Sequence, residues 1–569
     1  MRNCKTPQRQ RILFAFAMIL VLTICLVGRL SYLMLAKADY YGERAKEIQQ
    51  RERSIKAERG KIYDRNGVLI AGNKPVSTIS VIYSQVKDRE KVIEVLSEYL
   101  DMKEEDVRKR VEKKSAREKI KSNVEKTVSD QIREMNLAGV VIDEDYKRYY
   151  PYHELASKVI GFAGGDNQGI IGLEVSYDKH LSGQSGYILT TTDAKGIEIE
   201  GKTEERIEPV PGDNLYCSLD VNLQEFAEQA AKKVMKAKNA KNVRIIMMNP
   251  KNGEIYAMVN EPEFDLNKPY EIAEKGTFSE KKKQDLLNNM WRNSCISDTY
   301  EPGSTFKIVT ATSALEAGVV KKTDTFHCPG YKMVEDRRIR CHKTTGHGTE
   351  TFVQGVQNSC NPVFIEVGAR LGTPTFYSYI KKLGILEKTG VDVPGEAVAI
   401  MHQQKNVGAV ELATMSFGQS FQLSPLRLLT SVSAVINGGT LITPHFGIQL
   451  ESADKTVVEK LSYPEKKGIV SEKTSEDMKV ILESVVSEGS GGKAAVTGYR
   501  VGAKTGTSEK LPRSSKKYIA STLGFAPADD PELIAVVLID EPEGIYYGGQ
   551  IAAPVISELL SDALPYLVK

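Results

Sequence analysis

The sequence predicts an α+β domain in its C-terminal part, an antiparallel sheet with helices packed around it. Before it stand an elongated charged segment and one membrane-crossing helix. Three observations predict this. Short apolar, strand-like pieces cluster at residues 243–259 and again at 500–539, with mostly helical segments between them. An apolar run occupies residues 12–28. A stretch rich in Lys, Arg and Glu, residues 37–129, follows it.

The N-terminal run is broken only by Thr23, and its apolar character resumes after Arg29 as far as Ala36. That is long enough to cross a bilayer core as a helix. Arg2, Lys5, Arg9 and Arg11 precede it without an acidic residue, so residues 1–11 are expected on the cytoplasmic side and everything beyond residue 40 outside. Ala36-Lys37-Ala38 resembles a cleavage site, which makes a cleaved signal peptide the rival reading. The length of the run favours a retained anchor over residues 12–36. Arg29 is expected to snorkel to the interface or to face a partner helix.

The 569 residues exceed one compact core, so several domains are expected. A formal net charge of +3 gives no sign of a nucleic-acid partner. Seven cysteines, an odd and scattered set, do not form a disulfide scaffold. Within 37–129 the charged pattern predicts solvated helical elements, for example over 103–123. Residues 141–215 read as strand-like and glycine-rich, ending in Pro209-Val210-Pro211-Gly212, a linker signal. A helix is expected over 222–238. Strands are expected at 243–248 and 254–259 around the hairpin signal Asn249-Pro250-Lys251-Asn252-Gly253, and at 500–504, 519–525 and 533–539. The boundaries that follow are 1–11, 12–36, 37–215 and 216–569.

Ser-x-x-Lys occurs at Ser84, Ser176, Ser279, Ser304, Ser378, Ser452, Ser490 and Ser514, so the pattern alone says nothing. Context separates them. Ser304 follows the turn pair Pro302-Gly303 and opens a strong helix over 305–317, with Gly318 as a stop. A nucleophile there has free backbone N–H groups beside it, and Lys307 lies on the same helix face. An isolated match would read as an N-cap serine beside a solvated lysine. Two further pieces change that: Ser359-Cys360-Asn361, a Ser-x-Asn, and Lys504-Thr505-Gly506-Thr507 on an expected edge strand. A second Lys-Thr-Gly at Lys388-Thr389-Gly390 reads as loop.

In this order the three motifs resemble those of penicillin-binding proteins and class A β-lactamases. Arg59-Gly60-Lys61-Ile62-Tyr63-Asp64-Arg65-Asn66-Gly67, Arg148 to Pro151, and Gly172-Leu173-Glu174 with Tyr177 and Asp178 resemble blocks of the class B penicillin-binding proteins' non-catalytic pedestal. Tyr300-Glu301-Pro302-Gly303-Ser304-Thr305-Phe306-Lys307, Phe417-Gly418-Gln419 and Tyr547-Gly548-Gly549 resemble their catalytic blocks. The nearest subgroup in texture is the division and sporulation type (stage V sporulation protein D).

The resemblance implies a membrane-anchored D,D-transpeptidase of peptidoglycan synthesis, inhibited by β-lactams. It implies Ser304 as nucleophile, Lys307 as its base, and Ser359 and Asn361 as a proton relay. Lys504 would be the cation that helps depress Lys307, and Thr505, Gly506 and Thr507 would bind substrate. It implies no metal or organic cofactor, and a polytopic glycosyltransferase partner reached through the anchor and pedestal, with Arg29 or residues 51–65 in the contact.

Two other classes compete. A hydrolase (carboxypeptidase or β-lactamase) shares the nucleophile, but a class A β-lactamase would carry a Glu-x-x-x-Asn soon after Ser359-Cys360-Asn361, and none follows. A β-lactam sensor is expected to carry further membrane spans or an effector domain. His327, Cys328, Cys341, His342 and His347 form a cluster with three readings: a disulfide between Cys328 and Cys341, a zinc site of Cys and His ligands, or unlinked thiols. Cys360 is expected to pack rather than react.

Overall fold

The structure, a computed structural model, describes residues 6–41, 44, 50–115, 117–191, 205–274, 276 and 278–568. Arg2, Cys4, Lys5 and residue 116 lie outside them. The chain divides into two compact units, each assembled from separated stretches. One is Met1–Ala57, Pro75–Lys147 and Gln184–Val210; the other is Glu58–Lys74, Arg148–Gly183 and Pro211–Lys569.

In the first unit an α-helix over Thr6–Ser31 continues as a π-helix over Tyr32–Ala36. Pro7–Ala36 is long and apolar enough to cross a membrane, and its side chains are unburied. Arg29 places its guanidinium 5.7 Å from the Tyr32 ring centre, an arrangement suited to an interface. Further on, the helices Arg89–Leu100 and Glu104–Val111 and the strand Glu118–Glu125 enclose a core of Val92, Ile93, Leu96, Val107, Val111 and Ile120. The charged segment is therefore packed rather than merely solvated.

The helix expected over 103–123 covers only Glu104–Val111. Glu118–Glu125 is instead a strand paired antiparallel with Val76–Val81. Ile120 and Val124 are spaced as on a helix face, yet the pairing with Val76–Val81 and the positive φ of Asn123 override that local pattern.

In the second unit the strands β1 (Asn242–Met248), β2 (Ile255–Glu261), β3 (Gly502–Glu509), β4 (Tyr518–Ala526) and β5 (Leu533–Asp540) form one antiparallel sheet in the order β2-β1-β5-β4-β3. Both ends of the domain thus build it, as the sequence predicts. Gly253 closes the β1–β2 turn at φ +88°, and the Asn249 side chain accepts from the Lys251 N–H. Side chains alternate across the sheet. Ile246, Met248, Val536 and Leu538 face a core shared with α2 (Lys307–Glu316), α3 (Asn361–Lys382), α4 (Pro425–Ile436) and α5 (Glu472–Ser487). Ile245, Met247, Val537 and Ile539 face α1 (Val221–Lys238) and α6 (Ala553–Leu567). The Asp220 carboxylate accepts from the N–H groups of Asn222 and Leu223 and so caps α1.

Candidate active site

Ser304 lies in a 3-10 turn, Gly303–Phe306, that runs directly into α2. The turn is clamped from two sides. The Gly303 N–H donates to the Gly418 carbonyl at 2.9 Å, and a Cβ on Gly418 would fall 2.0 Å from the Gly303 carbonyl. On the other side a Cβ on Gly506 would meet the Ser521 hydroxyl at 2.7 Å and the Pro302 carbonyl at 3.2 Å. Glycine at these two positions lets the serine turn approach the edge strand β3 this closely.

Lys307 is fully buried one turn further along. Its Nζ donates to the Ser359 carbonyl at 2.7 Å, the Asn361 Oδ1 at 2.8 Å and the Ser359 hydroxyl at 3.2 Å. All three ammonium donors are thereby directed at the Ser-x-Asn segment, and none at Ser304. Ser359 holds a left-handed φ of +54°, ahead of α3, whose first residue is Asn361. The Asn361 amide donates to the Arg340 carbonyl, which fixes its oxygen toward Lys307.

Burial pushes the Lys307 amine down to about 8, against smaller opposing effects of Cys341, Cys360 and Glu350. Lys504, on β3 and also fully buried, is held well below the usual lysine range by burial and by the Lys307 charge. The expected influence of Lys504 on Lys307 is thus seen in the Lys504 amine, and burial does most of the work on Lys307. The Thr507 hydroxyl accepts from the Gly548 N–H at 3.1 Å, which leaves its own proton free to donate outward. Thr505 is largely buried, with Gly549 close behind it. The second Lys-Thr-Gly is loop, and Glu396 accepts from the N–H groups of Thr389 and Gly390 there.

The structure therefore brings Ser304, Lys307, Ser359, Asn361 and the Lys504–Thr507 strand together, with Gly418 and Gly548 as backing. Glu301, which accepts from the Ser420 N–H, and the Gly418 clamp are supports whose roles no motif spacing announces. Cys328 and Cys341 are separate thiols here rather than a disulfide, and Cys360 is a third buried thiol.

The pedestal-like motifs converge as well. Buried Arg59 donates to the Glu174 carboxylate at 2.6 Å and to Asp178 at 2.7 Å, while Arg148 reaches the other Glu174 oxygen at 2.6 Å. Asp64 accepts from the N–H groups of Asn66, Val68 and Val221.

Comparison with known proteins places this arrangement. Residues 243–561 match the penicillin binding protein transpeptidase domain, and residues 54–217 the penicillin-binding protein dimerisation domain. Stage V sporulation protein D of Bacillus subtilis is 38% identical, over 100% of this chain and 87% of that protein. The peptidoglycan D,D-transpeptidase FtsI of Escherichia coli is 29% identical, over 96% and 90%. Penicillin Binding Protein 2X from Streptococcus thermophilus shares the fold at a TM-score of 0.75 and 23% identity, over 90% and 80%. With its catalytic and pedestal regions both matched, the chain belongs to the class B penicillin-binding proteins, the serine D,D-transpeptidase family.

Proposed function

We propose that this protein cross-links peptidoglycan stem peptides through an acyl-enzyme on Ser304. The observation that carries the reading is the buried Lys307 amine, bonded to both Ser359 and Asn361 beside the serine turn. A neutral amine has two N–H donors and one lone pair, so deprotonation frees it to accept from a hydroxyl. At an amine value of about 8, about one molecule in ten is neutral at pH 7, enough for a base whose protonation follows the reaction.

The Ser304 oxygen attacks the carbonyl between the terminal D-alanines, and its proton passes to Lys307. Ser359 relays that proton to the amine of the departing D-alanine. The amine of a second stem peptide then attacks the acyl-enzyme, gives its proton back through Lys307 to Ser304, and completes the cross-link. Backbone N–H groups of Ser304 and Thr507 stabilise the oxyanion. Thr505 and Thr507 bind the terminal carboxylate next to Gly506, and the buried Lys504 adds positive potential.

On this reading residues 1–11 are cytoplasmic and 12–36 cross the membrane. Residues 37–215 form the pedestal and 216–569 the catalytic domain, outside the cell. The partner is a polytopic peptidoglycan glycosyltransferase, met through the anchor and pedestal with Arg29 or residues 51–65 in the contact, and the process is septation or sporulation. The similarity to stage V sporulation protein D supports the second.

The test is fluorescent penicillin added to the full-length chain in detergent, beside Ser304→Ala and Ser84→Ala. Stable labelling lost only in Ser304→Ala is expected. Rapid turnover of the label would favour a hydrolase, and equal labelling of Ser304→Ala would remove the nucleophile.

A further inference from the structure

A short hairpin stands beside the Ser-x-Asn segment. Its strands, Tyr331–Val334 and Arg337–Arg340, pair antiparallel, with Tyr331 opposite Arg340 and Met333 opposite Arg338. Paired residues share a face, so Lys332, Val334, Arg337 and Ile339 lie on one side and Tyr331, Met333, Arg338 and Arg340 on the other. The first side is turned inward. Val334 and Ile339 pack against the core, and the Lys332 Nζ donates to the Glu366 carboxylate on α3 at 2.7 Å. The second side is open: Met333 is 51% exposed, and both of its arginines are exposed.

This open face carries charge that the fold leaves unmatched. Residues 331–343 hold five basic side chains and two acidic ones, a surplus as large as the +3 of the whole chain. Lys332 is taken by Glu366, and Arg337 lies 3.5 Å from Asp336. Arg338, Arg340 and Lys343 form no ion pair among the described residues. The two acids, Glu335 and Asp336, stand at the hairpin tip. Arg340 is four residues beyond Asp336, about 13 Å along a strand, which exceeds the screening length of about 8 Å. Arg338 and Arg340 are only about 7 Å apart on their shared face and repel each other within that length. The Arg338 guanidinium sits 3.9 Å from the Tyr331 ring centre, which orders it without neutralising it.

The place of the hairpin narrows the anion that fits. The Arg340 carbonyl accepts from the Asn361 amide at 3.1 Å, and the Asn361 oxygen accepts from Lys307. The basic base of the hairpin, not its acidic tip, therefore adjoins the catalytic groups. The donor peptide's terminal carboxylate is already assigned to Thr505 and Thr507, on β3. In the acyl-transfer reading, on which this inference rests, Ser359 hands a proton to the departing amine. The incoming amine takes the place that the departing one leaves, beside Ser359 and Asn361.

We propose that Arg338 and Arg340, on the open face of this hairpin, bind carboxylates of the acceptor stem peptide and so bring its amine to the acyl-enzyme. The planar guanidinium fork matches a carboxylate in two-point contact, which fixes direction as well as position. Tyr331 and the exposed Met333 give the same face apolar surface for the alkyl stem that carries the amine.

The test uses the full-length chain in detergent and a synthetic stem tripeptide, labelled at its N-terminus, with a free side-chain amine and free carboxylates. Its twin has the carboxylates amidated. Wild-type protein is expected to bind the free peptide about tenfold or more tighter than the twin. Arg338→Gln combined with Arg340→Gln should abolish that preference, while the twin binds variant and wild type alike, as an intact fold requires. Arg338→Lys with Arg340→Lys should keep part of it. Arg337→Gln removes the same charge from the other face and should leave the preference intact. In transfer from a D-alanyl thioester, the double glutamine variant should raise KM for the free peptide more than it lowers kcat. Equal binding of both peptides by wild type would overturn the proposal. So would a preference that survives the double glutamine variant or falls equally in Arg337→Gln. Penicillin labelling of Ser304 reports on the reaction separately: its absence would strike the acyl-transfer reading, whereas the peptide comparison strikes the hairpin alone.

Discussion

Lys307 works only as a neutral amine, and burial sets where that neutrality is reached. A lysine in this position loses its proton as pH rises through about 8. The second-order rate of acylation by penicillin should therefore climb with pH and level off above that value. A flat profile between pH of about 6 and about 10 would remove Lys307 as the base. Lys307→Arg keeps the charge but cannot release a proton, so acylation should fall by about a thousandfold. At this scale the sequence was generous with reacting groups: Ser304, Ser359, Asn361 and Lys504 stand in recognisable words, and the structure brings them together. It was silent on how Lys307 spends its three donors. The convergence of Cys360 with Cys328, Cys341 and His347 was equally hidden, because it joins stretches far apart in sequence and no regular spacing encodes it.

Among the elements, β3 depends most on what leaves room for it. The Gly303–Phe306 turn is wedged between Gly418 and Gly506, so a single methyl group should be felt. Gly418→Ala combines a φ of +89° with a clash against the Gly303 carbonyl. It should lower stability by about 2 kcal/mol or more and slow acylation as well. Gly438→Ala is the matched control: its φ is +85°, but nothing lies within 4 Å of the added carbon. Backbone strain alone should cost it about 1 kcal/mol, with acylation unchanged. Equal losses in denaturant titrations of the two variants would argue against the clamp. Hairpins, the capped helix and the five sheet strands were legible because periodicity and turn residues agree there. Residues 103–123 misled because Ile120, with Val124 just beyond the range, fits a helix face and a strand alike. Only the pairing with Val76–Val81 decides.

Across the whole molecule, residues far apart in sequence share one buried ionic knot. Glu174 is flanked by Arg59 and Arg148, with Tyr150 donating to the same carboxylate. Arg59→Leu would strand that charge and should cost about 3–5 kcal/mol in a denaturation experiment, with Glu174→Gln in the same background recovering part of it. A loss below about 1 kcal/mol would mean water reaches the carboxylate. The family-like words around these residues were visible in the sequence. Their mutual contact was not, since nothing local records which distant carboxylate an arginine meets.

The order of the sheet also has a consequence in time. Its first two strands are made early and its last three at the end, and 200 residues separate Ser304 from Lys504 (504 − 304). At synthesis rates of about 5–20 residues per second, the nascent chain carries its serine for on the order of 10 to 40 s before the lysine strand exists. During that interval neither substrate nor antibiotic meets an assembled site. Every molecule begins life unarmed and becomes vulnerable to a β-lactam only when it becomes useful.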